Sequence, residues 1–411
     1  MTTAESQHTL EHGKFTRWAW GTFLIGGALG TTLPGQLLVL ISTVQRLLTR
    51  ERGAVFSDAS TRVGLFVRCG WAFLGASLVS AMLSEYPAVG LANAAGFALL
   101  FFVVALGARD VVEIALSRPL RRILIWMLIA GVAGALYGIY SVFELRFHRA
   151  EGIAFGPNGF GGLMALLAVF AIGVGLEKRR VGWWLATIPV FLAGLALSMS
   201  RGSWLGFVVS LIAFTWLLVR RNKRYLKWTI AVVLGVVLLS SVLIAQSPAL
   251  QGRLASVFSI ERNMDRVLIW RAALEMFKDR PITGVGGGAF PLVYEEYRVE
   301  GESRSTISFA HNLPLHILAE YGILGFIPFF ALIGLAVVRG WRVARQSGPL
   351  IMGIYSGFLG MLVHELFDNV ALSMNLGGLF WFLVGFLIHL YERRDEIHRI
   401  AWTASRAENV G

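Results

Sequence analysis

The fold class predicted by the sequence is an all-α integral membrane protein of about twelve transmembrane helices with one long periplasmic loop. Three observations predict it. Apolar stretches near the length needed to cross about 30 Å of hydrocarbon recur from end to end. Only 15% of the 411 residues are charged against 56% hydrophobic, too few charges to cover a soluble globular surface. The 37 Lys and Arg fall in short clusters between the apolar stretches, as they do in the cytoplasmic connections of a membrane protein. That scatter sets nucleic acid aside as a partner despite the net charge of +12, and makes membrane lipids the expected surroundings.

Residues 1–246 are predicted to hold transmembrane helices one to nine. The first apolar stretch, 18–48, is long for one span and is interrupted by Pro34 beside Gly35, so it reads as a helical hairpin turning there. It lacks a small-residue cleavage site and is followed by basic residues, which argues against a signal peptide. Spans follow at roughly 63–83, 87–107, 120–143, 156–176, 181–199, 202–219 and 228–246. Cys69 is the only cysteine and lies within a span, so no disulfide forms within one chain. Residues 247–314 are a polar connection far longer than any other, and such connections usually carry function. Residues 315–411 hold the last three spans, near 315–338, 349–368 and 374–391, and a basic cytoplasmic tail.

Charge parity selects twelve spans over eleven. With 18–48 as a hairpin, both termini are cytoplasmic and 25 of the 37 Lys and Arg fall in cytoplasmic segments. The outer side then receives eleven, eight of them in the long loop, and Arg68 stays within a span. Eleven spans would put Lys14 and Arg17 outside, against the positive-inside rule.

Three outer features carry residue types suited to chemistry. Ser200-Arg201-Gly202-Ser203 joins two spans with almost no connecting loop. An arginine at the membrane boundary either snorkels or binds an anion, and snorkelling is the commoner case. Residues 262–277 read as an amphipathic helix ending at Pro281, with Arg262 and Arg266 on one face and Arg271 about 140° away at ~100° per residue. A plain surface helix on anionic headgroups is the competing reading. The run Gly284-Val285-Gly286-Gly287-Gly288 permits sharp turns but has no strand–helix unit around it. Finally, Asn312 is a natural N-cap with Pro314 in the first turn, which puts His311 at a helix mouth where an imidazole can exchange a proton near neutral pH. His316, one turn further on, reads as a packing or hydrogen-bonding residue.

His364, Glu365, Asp368 and Asn369 near the outer end of another span must face the bundle interior or water, and their roles stay open. No Asp-x-Asp pair or His-x-x-His cluster occurs on the outer face, so no metal is expected. Cationic side chains can neutralise a pyrophosphate without a divalent ion.

The order of these pieces resembles the O-antigen ligase/polymerase superfamily. The matching residues are Ser200-Arg201-Gly202, Asp265-Arg266 with Trp270-Arg271-Ala272-Ala273-Leu274, Pro281 to Phe290, and His311-Asn312 leading into Glu320-Tyr321-Gly322-Ile323-Leu324-Gly325. The resemblance is strongest over 198–330. It implies a GT-C type glycosyltransferase of the bacterial inner membrane with its site facing the periplasm. Such an enzyme moves a glycan from undecaprenyl pyrophosphate to lipid A–core, if a ligase, or to a second lipid-linked glycan, if a polymerase. It also implies roles without any cofactor: His311 as general base, and Arg201, Arg266 and Arg271 on the donor pyrophosphate. Asn312, Ser200 and Asp368 are candidate supporting residues. The compact chain leans towards ligase. A lipid-linked glycan transporter ranks lower, because the central spans hold almost no Asp, Glu or Lys. A non-catalytic assembly subunit is the third reading.

Overall fold

The computed structural model describes residues 3–48, 64–115, 120–178, 184–223, 245–255, 264–299, 307–373 and 375–394, with isolated positions between them. Most of the predicted span 228–246, Arg262 and the basic tail beyond 394 lie outside the described residues. All regular elements among the described residues are helices. They are α1 (Thr3–Leu29), α2 (Leu33–Leu48), α3 (Gly64–Met82), α4 (Pro87–Ala98), α5 (Ala108–Ala115), α6 (Leu120–Phe143), α7 (Pro157–Lys178) and α8 (Trp184–Leu197). They continue as α9 (Arg201–Arg221), α10 (Pro248–Ala255), α11 (Met264–Asp279), α12 (Phe290–Tyr297), α13 (Leu313–Ala344), α14 (Pro349–His364) and α15 (Leu376–Glu392).

Among the described residues, six helical stretches are long and apolar enough to cross a membrane: Gly64–Met82, Pro87–Glu113, Ile123–Phe143, Pro157–Glu177, Arg201–Arg221 and Leu313–Ala344. Leu33–Gln45, Ala186–Leu197, Pro349–His364 and Leu376–Glu392 are shorter apolar helices. The Pro87–Glu113 stretch joins α4 to α5 through a π-helical segment, Leu99–Ala105. α1 and α2 pack on each other as a hairpin. Its turn is at Gly30–Thr32, with Gly30 at φ 111°, and not at Pro34. Pro34 stands instead in the first turn of α2, where a missing N–H leaves no bond unmade.

Hydrophobic residues all around a helix mean that it is enclosed by others. α7 and α15 show this: 83% of the apolar window of α7 is buried, and every residue of α15 from Leu376 to Leu390 is buried. α3 and α6 have an outward face instead, carrying Trp71, Leu78, Trp126 and Leu136. Between apolar helices in lipid the contact is made by shape, and small residues set its closeness. α9 meets α14 at Gly206 and Gly360, where a Cβ on Gly206 would stand 2.5 Å from the Gly360 carbonyl oxygen.

α13 is the element that shapes the site. Its helical course is broken at Gly322, which has φ 58° and ψ −162°. A broken helix in an apolar bundle needs other partners for its backbone groups. The segment Pro281–Gly286 supplies them: Ile323 N–H donates to the Pro281 carbonyl at 2.9 Å and Leu324 N–H to the Ile282 carbonyl at 3.1 Å. In return Val285 N–H donates to the Ala319 carbonyl at 2.9 Å and Gly286 N–H to the Glu320 carbonyl at 3.0 Å. Side chains at Gly284 and Gly322 would collide with the opposing backbone, Glu320 and Ile282 respectively. The glycine-rich run is therefore a clamp on the broken helix, and its backbone is committed to that clamp.

Candidate active site: a histidine–carboxylate pair among arginines

Asn312 caps α13, its side-chain oxygen accepting from Leu315 N–H at 3.0 Å. The same side chain donates from Nδ2 to the Leu366 carbonyl at 3.1 Å, and Leu313 N–H donates to the Glu365 carbonyl at 2.8 Å. The mouth of α13 is thus docked onto the turn that follows α14. Buried Glu365 shapes that turn, both carboxylate oxygens accepting from Ala371 N–H at 3.2 Å.

The docking brings His311, at φ 50°, against Asp368. Nδ1 of His311 lies 3.3 Å from Oδ1 of Asp368, with the side chains 23% and 15% exposed. Asp368 also accepts from Asn369 N–H at 3.0 Å, and Nε2 of His364 stands 3.9 Å from its other oxygen. Burial pushes the Asp368 carboxyl up. The hydrogen bond from His311, the positive charge of both histidines and the Asn369 N–H outweigh it and hold the group at about 2. A carboxylate ionised at neutral pH can only accept. Nδ1 of His311 is therefore the donor, and in the neutral ring Nε2 keeps the lone pair.

His364 ties this pair to the second motif. Its ring packs where side chains at Gly162 of α7 and Gly202 of α9 would sit, 3.2 Å and 3.1 Å from added Cβ atoms. Gly202 is thus the residue that lets α14 approach the start of α9. Ser200 caps α9, accepting from Ser203 N–H at 3.4 Å and from the Ser203 hydroxyl at 2.8 Å. It is buried and acts on the helix start. Arg201 is half-buried at that start, within electrostatic reach of Arg253 on α10.

Two arginines join the cluster that the motif reading did not single out. Arg253 donates from Nε to the carbonyl of Met199, just before the Ser200 cap, at 2.9 Å. Arg149, in the connection between α6 and α7, donates to the Ser198 carbonyl and to Oδ1 of Asn158, both at 2.8 Å. Burial, with the positive charges of Arg253 and Arg266, lowers the Arg149 guanidinium to about 10 against the pull of Asp368 and Glu151. Arg149, Arg253, Arg266 and Asp368 therefore share one electrostatic neighbourhood. The charge tally held the clue: Arg146, Arg149 and Arg201 are the only basic residues that twelve spans leave outside the long loop on the outer face.

Arg266 is half-buried on α11. Arg271 is exposed on the side of α11 away from buried Ile269, Ala272, Ala273 and Met276, as its angle predicts, and the structure does not bring it to the cluster.

His316 and Glu320 form a second, fully enclosed pair, with Nε2 and Oε2 at 3.4 Å. Nδ1 of His316 accepts from Ala310 N–H at 3.4 Å, and Oε1 of Glu320 accepts from Phe290 N–H at 3.2 Å. They fasten the approach to His311 and the start of α12 to the broken helix. Both also line a cavity of about 640 Å³ whose apolar wall includes Phe73, Phe97, Leu100 and Trp381.

Residues 185–330 match the family model described as O-Antigen ligase. The matched window runs from α8 into α13 and takes in Arg201, Arg266, Arg271, His311 and Asn312, while Arg149 and Asp368 stand outside it. This match supports the resemblance to the O-antigen ligase/polymerase superfamily over about a third of the chain. No curated protein matches the chain.

Proposed function

We propose that the protein is an O-antigen ligase, a metal-independent, inverting glycosyltransferase that moves a glycan from undecaprenyl pyrophosphate to lipid A–core oligosaccharide. In this reading the chain crosses the bacterial inner membrane twelve times, with residues 247–314 and the His311 centre at the periplasmic face. The observation that carries it is the His311–Asp368 pair standing in a neighbourhood of arginines.

The chemistry follows from those atoms. The acceptor hydroxyl attacks the anomeric carbon from the side opposite the pyrophosphate. Its proton passes to Nε2 of His311, while Asp368 holds the ring through Nδ1 and stabilises the imidazolium. The bond from the anomeric carbon to the pyrophosphate oxygen breaks, and the electron pair leaves with undecaprenyl pyrophosphate. Arg201 and Arg266, joined by Arg149 and Arg253, stabilise the charge that grows on that leaving group. One attack from the opposite side inverts the anomeric configuration. The cavity bordered by Phe73, Phe97, Leu100 and Trp381 offers an apolar lipid chain a place within the bundle.

The deciding experiment is transfer by the purified protein from a lipid-linked glycan to lipid A–core in EDTA. Metal-independent transfer lost in His311→Ala and Arg266→Ala supports the ligase. Glycan chains lengthening on the lipid carrier, with lipid A–core untouched, would replace it by a polymerase using the same donor. Donor left unconsumed with every acceptor would turn the reading to transport or assembly.

A further inference from the structure

The opposite end of α13 carries a second cationic site. From Leu313 to Arg342 the chain advances 29 residues, on the order of 40 Å at helical rise, so this end is remote from His311. Arg339, Arg342 and Arg345 recur every three residues here, and Tyr391 and Arg394 project from the end of α15.

The two helix ends enclose a pocket of about 460 Å³ lined by Trp341, Arg342, Arg345, Gln346, Tyr391 and Arg394. Arg342 Nη1 donates to the Tyr391 hydroxyl at 3.2 Å, and Arg394 Nη1 donates to the Tyr391 carbonyl at 2.8 Å. The Arg394 guanidinium lies 4.1 Å from the centre of the Tyr391 ring, and that of Arg342 5.9 Å. The adjacent carboxylate, Glu392, is engaged by Arg339 at 3.5 Å and His389 at 3.4 Å. Among the described residues the wall itself contains no carboxylate.

Arginine at a helix C-terminus is stabilising by itself. That effect does not require guanidinium groups from two helix ends to converge on one ring beside a pocket. An oxyanion suits such a lining, because the planar guanidinium presents paired donors that fit phosphate. The surroundings point to a lipid as its source. Trp341 packs on Trp216 with ring centres 4.9 Å apart, Arg220 lies 4.8 Å over Trp216, and Val338 one turn away is half exposed. Tryptophan and arginine on an apolar outer surface mark headgroup level, and basic pockets between helices at that level take anionic headgroups.

We propose that this pocket binds the phosphate headgroup of an anionic phospholipid from the leaflet opposite the His311 centre. The proposal is independent of the reaction assigned above. Its test is thermal unfolding and native mass spectrometry of the full-length, delipidated protein titrated with phosphatidylglycerol, phosphatidylcholine or inorganic phosphate. Phosphatidylglycerol should raise Tm and stay bound through detergent exchange, phosphatidylcholine should do neither, and Arg345→Gln/Arg394→Gln should weaken phosphatidylglycerol binding at least tenfold. Equal retention of the two lipids by the wild type would overturn the proposal, and that comparison needs no variant to fold. A saturable Tm shift with inorganic phosphate as large as that with phosphatidylglycerol would overturn the lipid assignment and make the pocket a site for a soluble phosphate.

Discussion

His311 Nδ1 and Asp368 Oδ1 stand 3.3 Å apart although 57 residues separate them in the chain. The contact exists because Asn312 and Leu313 anchor the mouth of α13 on the Glu365–Leu366 turn. A base oriented by a carboxylate has a defined tautomer, and that orientation has kinetic consequences.

His311→Ala should lower kcat for glycan transfer by roughly 10²–10⁴, the usual worth of a positioned general base. Asp368→Asn should fall between that variant and the wild type, since the imidazole remains but its tautomer is no longer set. Steady-state rates with a lipid-linked donor decide this. Unchanged kcat in both variants would remove the pair from the mechanism.

The depressed Asp368 carboxyl gives stability a defined dependence on pH. Its folded value is about 2 against an ordinary 3.8, so the folded state favours the ionised form. The contribution is fully present above pH 4, declines as pH falls through that window, and is gone below about 2. The shift corresponds to roughly 2 kcal/mol. The Tm deficit of Asp368→Asn relative to wild type should accordingly be present at pH 5 and shrink as pH falls from 4 towards 2. A deficit that persisted undiminished at pH 2 would contradict the ionised assignment.

Arginines should separate by neighbourhood. Arg149→Gln and Arg253→Gln should each lower kcat by up to about 10²- to 10³-fold, the range for removing one group aimed at developing charge. Arg271→Gln should stay within about twofold, because its side chain is exposed on the far side of α11. Equal losses in Arg149→Gln and Arg271→Gln would show that overall positive charge, and not the cluster, governs activity.

The helical class was legible because span length, charge scarcity and charge clustering act over whole segments and survive local detail. Asn312 as a cap was legible for the opposite reason, since capping needs only its own helix. Arg149 was not, since its value comes from Ser198 and Asn158, residues that only packing brings alongside it. The glycine run shows a third case. Its sharp turns were readable from composition, but its partner, the break at Gly322, lies on another element and becomes visible only when the two backbones exchange hydrogen bonds.

That exchange yields the last prediction. Gly322→Ala places a Cβ at φ 58° and against the Ile282 backbone, so strain and collision add. At φ 58° and ψ −162° the backbone is in a region that glycine alone readily occupies, which costs about 1–3 kcal/mol for another residue. The collision must then shift Pro281–Gly286, which holds four backbone hydrogen bonds with α13, each worth about 0.5–1.5 kcal/mol net. Gly322→Ala should therefore lower Tm strongly or prevent recovery of folded protein in detergent. Gly334→Ala, on the same helix with open space at its Cβ, should behave as wild type. Glu320 sits beside the break and fixes the start of α12, and His316 fixes the approach to His311. Any Gly322→Ala protein recovered folded should consequently lose activity beyond its loss of stability, measured as kcat well below its folding midpoint. Full activity in such protein would separate the clamp from the site.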